Sequence, residues 1–134
     1  MTYLLDTHYM IWAIMDTKRL SKKLKGLLAD TDNTVLVSAV SFWEVSIKSA
    51  LGKLKLKGSA PEDLPGICKE TGFDIIPLLP EESSTYHQLE AVYHKDPFDR
   101  MLIWQAISGG YTLISVDANV RKYVTAGLKI YTEK

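Results

Sequence analysis

Cysteine is nearly missing from this chain: Cys68 is the only one in 134 residues. An internal disulfide is thereby excluded, which suits a reducing compartment. No catalytic base accompanies Cys68 in the sequence, so it is expected to be a buried structural thiol. No apolar run approaches the roughly 18 residues that a membrane-spanning helix requires. The opening Met-Thr-Tyr-Leu-Leu-Asp carries no basic leader. A cytoplasmic protein with no membrane partner is expected. Net charge is missing too, since 16 Lys and Arg balance 16 Asp and Glu. Nucleic-acid binding, if present, must therefore rest on a local basic patch. His8 and His87 form no zinc-like spacing, and there is neither a Gly-rich phosphate loop nor a Gly-x-Ser-x-Gly elbow.

What the chain does contain is an alternation of short apolar runs and helical patterns. Strands are predicted at Tyr3–Leu5, Val35–Val37, Phe73–Ile76, Thr112–Val116 and Lys129–Tyr131. Helices are predicted at Thr7–Met15, Ser21–Ala29, Ser38–Leu54, Glu81–Tyr93 and from Pro97 to about Ser108, with a weaker one over Pro61–Thr71 and a short one from Asp117 to Tyr123. Asp96-Pro97 is a strong helix start and Gly109-Gly110 a strong stop. Repeats, low-complexity tracts and linkers are absent from the sequence. The expected fold is α/β: a single domain over residues 1–134, with a central, mostly parallel β-sheet flanked by α-helices.

Against that frame four acids stand out: Asp6, Glu44, Asp99 and Asp117. Asp6 and Asp117 follow predicted strands, at the edge where open α/β sheets place their ligands. Asp99 projects between Leu102, Ile103 and Ala106, where a carboxylate is costly unless a cation or several donors compensate it. Hard divalent cations prefer such oxygen ligands, and a bound cation could activate water against a phosphodiester. Each acid also has an ordinary explanation. Asp6 and Asp117 suit helix caps, Asp99 suits the positive end of a helix, and Glu44 suits an ion pair with Lys48 one turn on.

The blocks Leu4-Leu5-Asp6-Thr7-His8, Ser41-Phe42-Trp43-Glu44, His94-Lys95-Asp96-Pro97-Phe98-Asp99-Arg100 and Leu113-Ile114-Ser115-Val116-Asp117 occur in that order. Together they resemble the signature blocks of PIN-domain ribonucleases, nearest in character to the VapC-type toxins of toxin–antitoxin pairs. The resemblance implies that Asp6, Glu44, Asp99 and Asp117 are the catalytic metal-site quartet. It implies Thr7 and Ser115 as supporting hydroxyls and Asp96 as more a helix cap than a ligand. It further implies a Mg²⁺ or Mn²⁺ cofactor, an RNA substrate, a homodimer and a small antitoxin partner.

Substrate contacts are expected from Lys48, Lys53, Lys55 and Lys57, and from Arg100 beside Asp99, with Lys95 flanking the acidic block. Trp43 and Trp104 are expected in the core, and His94 is expected to be structural. The alternatives are a phospho-accepting receiver module, a catalytically silent binding domain and a housekeeping PIN nuclease. A receiver would need a lysine at the end of a late strand, and Thr112–Asp117 offers none.

Overall fold

In the computed structural model, which describes residues 1–90 and 96–133, five strands form one sheet. They are β1 (Thr2–Leu5), β2 (Thr34–Ser38), β3 (Asp74–Ile76), β4 (Thr112–Ile114) and β5 (Lys129–Ile130). The order is β3-β2-β1-β4-β5, and every neighbouring pair is parallel. The chain winds outward from β1 through β2 to β3, then returns to the other side of β1. The crevice at that reversal, outside the carboxyl ends of β1 and β4, is where such sheets bind ligands. In the flavodoxin-type order of receiver modules the first strand lies between the second and third. Here it lies between β2 and β4, which sets the receiver alternative aside.

Alternation along the strands divides the core in two. Tyr3, Leu5, Val35, Val37 and Ile114 face a layer built from α1 (Thr7–Met15), α2 (Lys22–Ala29) and α4 (Leu64–Thr71). Leu4, Leu36 and Leu113, aligned across the sheet, face α6 (Pro97–Gly109) and the 3₁₀ segment Ala118–Ala126. Burial on both faces explains why these strands read as continuous apolar runs. Helix α3 (Ala39–Ala50) contributes Val45 to one layer and Val40 to the other. Among the described residues no helix is long and apolar enough to cross a membrane.

Several predicted boundaries move. The helix expected to reach Leu54 stops at Ala50, and Gly52 adopts a left-handed φ of 72° just beyond it. The helix expected over Glu81–Tyr93 becomes α5 (Pro80–Thr85) followed by a 3₁₀ turn at Tyr86–Gln88. The Leu89 carbonyl accepts the Arg100 guanidinium at 2.6 Å instead of continuing a helical ladder. Positions 91–93 of that prediction lie outside the described residues. The strand expected to reach Val116 ends at Ile114, because the Val116 amide donates to a side chain of the site.

Candidate active site

Asp6 is the first residue past β1 and the N-cap of α1. Its Oδ1 accepts the Tyr9 amide at 2.8 Å, and its Oδ2 accepts the Val116 amide at 2.9 Å. The nearby Ser115 hydroxyl favours its ionised form as well. Only 4% of Asp6 is exposed. Burial pushes its carboxyl above the ordinary carboxylate value, while those donors and the nearby His8 pull it back. The backbone amide of Asp6 is held by the Ile114 carbonyl at 2.9 Å, which fixes the end of β1 against the end of β4.

The next residue, Thr7, reaches α3. Its hydroxyl donates to Glu44 Oε1 at 2.6 Å and lies 3.0 Å from Ser41 Oγ. With one proton available, Thr7 serves the carboxylate and Ser41 donates to Thr7. Glu44 is 3% exposed, and its Oε2 is paired with the Lys48 ammonium one helical turn on. The ion pair expected from the Glu44–Lys48 spacing is therefore present. The hydrogen bond to Glu44 raises the Lys48 pKa; burial opposes this, and the charges of Glu44, Asp96 and Asp99 add to it.

Asp96 caps α6, its Oδ1 accepting the Phe98 amide at 2.8 Å and the Asp99 amide at 3.4 Å. The cap role expected of Asp96 is thus realised. Asp99 sits half-buried in the first turn of α6. Asp117 accepts the Asn119 amide on Oδ1 at 2.8 Å, and its own amide donates to Ser115 Oγ at 3.1 Å. The helix-cap readings of Asp6 and Asp117 are accordingly correct, and compatible with a further role.

These contacts form a line along the carboxyl edge of the sheet. The Asp117 amide bonds Ser115, the Val116 amide between them bonds Asp6, Thr7 bonds Glu44, and Glu44 bonds Lys48, which also feels Asp96 and Asp99. In this arrangement no three His, Cys, Asp or Glu side chains among the described residues stand close enough to hold a metal ion. The carboxylates are engaged by protein donors instead. The donor set is nonetheless all oxygen, the chemistry that hard cations such as Mg²⁺ and Mn²⁺ select.

Two expectations need correction. Arg100 is turned into the fold, 8% exposed, donating to Tyr86 Oη at 3.0 Å, Tyr123 Oη at 3.2 Å and the Leu89 carbonyl. It ties α6 to the surrounding segments, and that burial does not suit the substrate contact expected of it. Trp43, expected in the core, is 58% exposed and meets Phe98 edge-on at 5.2 Å between ring centres. Trp104 is partly buried as expected, its indole N–H donating to Thr85 at 3.1 Å. Cys68 is fully buried. Lys53, Lys55 and Lys57 are exposed in the stretch after α3. His94 and Lys95 lie outside the described residues.

Two residues escaped the sequence reading. Ser41 stands three positions before Glu44, a spacing that puts both on one helix face, and it is buried against Thr7. Arg121, with Tyr9, Ser115, Asp117 and Glu133, lines a cleft of about 200 Å³ beside the line of acids. Its only sequence signal is its position four residues after Asp117.

A family model described as PIN domain matches residues 3–125. Ribonuclease VapC22 of Mycobacterium tuberculosis is 24% identical over 122 residues, covering 91% of this chain and 92% of that protein. VapBC2 from Rickettsia felis, solved bound to a DNA fragment from their promoter, shares the fold with a TM-score of 0.70 and 20% identity over 100% of both chains. VapBC-5 from Mycobacterium tuberculosis, a member of the VapBC family of toxin-antitoxin systems, gives a TM-score of 0.60 at 15% identity, covering 98% of each chain.

Proposed function

The chain belongs to the PIN-domain family, and from that premise we propose that it is a cytoplasmic, Mg²⁺- or Mn²⁺-dependent endoribonuclease, the toxin of a toxin–antitoxin pair. The observation that carries this reading is the line of contacts at the reversal point of the sheet, where Asp6 and Glu44 are held almost out of water. The similarity to a ribonuclease over nine-tenths of the chain supports RNA as the substrate. The likeness to a toxin–antitoxin protein supports an antitoxin partner.

In this proposal Asp6, Glu44, Asp99 and Asp117 hold the cation. When bound, Mg²⁺ or Mn²⁺ supplies Lewis acidity, polarising the phosphate and acidifying water. The protein's own work is orientation. The Tyr9 and Val116 amides fix Asp6, while the Thr7 hydroxyl fixes Glu44 Oε1 and leaves Oε2 turned towards Lys48. Lys53, Lys55, Lys57 and Arg121 offer positive charge to the phosphates of a single strand. A homodimer would cover exposed apolar groups on α3 and at its C-terminal cap, where Trp43 and Leu51 are 58% and 63% exposed.

The test is cleavage of a mixed RNA substrate by purified protein with Mn²⁺ or Mg²⁺, with and without EDTA, beside folded Asp6→Asn and Asp99→Asn. Metal-dependent cutting that both substitutions abolish is expected. Cutting that persists in EDTA, or in folded Asp6→Asn, would overturn the assignment.

A further inference from the structure

Lys48 occupies a position that a spacing-based i, i+4 pair does not explain by itself. Most such pairs lie on open helix surface and contribute little. Here the acceptor, Glu44, is 3% exposed and its other oxygen is already taken by Thr7. The ammonium also stands within the electrostatic reach of Asp96 and Asp99 on a different helix. It is thus a positive charge shared between the acids of α3 and α6. A buried carboxylate deprived of any cation would be strongly destabilised.

We propose that Lys48 is a built-in counter-ion: it holds Glu44 in the metal-free protein and is exchanged for the divalent cation when the site is loaded. The inference rests on the metal-dependent reading given above. The exchange replaces one positive charge beside Glu44 by two. It also frees an ammonium next to the site, able to meet a substrate phosphate as a point charge.

Two measurements on the full chain test this without reading activity. Mn²⁺ titration calorimetry compares wild type with Lys48→Gln and, as a control for general charge, Lys53→Gln. Nitrogen-detected NMR of the lysine ammonium groups follows Lys48 as Mg²⁺ is added. Lys48→Gln is expected to bind Mn²⁺ about tenfold more tightly than wild type, with Lys53→Gln almost unchanged. The Lys48 ammonium signal is expected to lose its hydrogen-bonded character as Mg²⁺ saturates. Equal affinity in wild type and Lys48→Gln, or a Lys48 signal indifferent to Mg²⁺ while the metal still binds, would overturn the counter-ion role and leave the metal site standing. Absence of Mn²⁺ binding in wild type and Lys48→Gln alike would overturn the metal site itself, and this inference with it.

Discussion

Thr7 has one proton to give, and it goes to a carboxylate that is almost wholly buried. Thr7→Val keeps the shape of the side chain but leaves Glu44 Oε1 without that donor. A buried acceptor stripped of its partner costs about 1–3 kcal/mol. Urea unfolding of the metal-free protein is expected to show a loss of that size, restored by Thr7→Ser. A Thr7→Val protein as stable as wild type would mean that Lys48 alone satisfies Glu44. Cys68 gives a second residue-scale expectation. Burial pushes its thiol from the ordinary 9.0 up to about 11. The folded chain therefore keeps this proton where the unfolded chain releases it. Stability due to this group is intact below about pH 9 and declines towards about pH 11. Comparing wild type with Cys68→Ala across that range should show wild type losing stability more steeply. Iodoacetamide should fail to label the native thiol at about pH 8.

At the scale of elements, α6 is the best-determined piece. Asp96 caps it, Pro97 opens it and Gly110 closes it with a left-handed φ of 71°. Asp96→Ala and Gly110→Ala are each expected to cost about 1 kcal/mol, read from urea midpoints. Asp96→Asn should retain most of the cap. Both ends of α6 were legible in sequence because capping is local chemistry. The face that α3 buries was not. In sequence Val40, Trp43, Ile47, Leu51 and Leu54 share one stripe with Glu44 on its border, yet the buried residues of α3 are Val40, Ser41, Glu44 and Val45. Helical period states which residues share a face but not what covers that face. Here α3 turns Ser41 and Glu44 towards Asp6 and Thr7, and Trp43 and Leu51 are left in solvent. Arg100 was misjudged for a related reason: one residue after Asp99 is about 100° around the helix, so the two cannot share a face. Asp6 and Asp117 could be placed near the carboxyl edge of the sheet from sequence because the end of a parallel strand is a fixed place in the fold.

For the whole molecule, a formal charge of zero means that the RNA affinity proposed above must rest on a local patch. Replacing Lys53, Lys55 and Lys57 together by Gln is expected to raise KM for RNA with little change in kcat. It should also flatten the salt dependence of binding, by about 0.7 in log–log slope for each phosphate no longer neutralised. Unchanged slopes would move the substrate path to the cleft beside Arg121. The order of the strands has a consequence for when the proposed activity could first appear. On the reading proposed here, the site depends on the bond from the Val116 amide to Asp6, which spans 110 positions of the chain. A ribosome delivers β1, β2 and β3 well before β4, and a nascent chain at that stage has no neighbour for Leu5 on the β4 side and no Val116 amide for the second oxygen of Asp6. Non-local parallel pairing is also slow to form. On that same reading the growing polypeptide stays harmless to the messenger being translated until β4 has been made, and an inhibitor would have to act from that moment on.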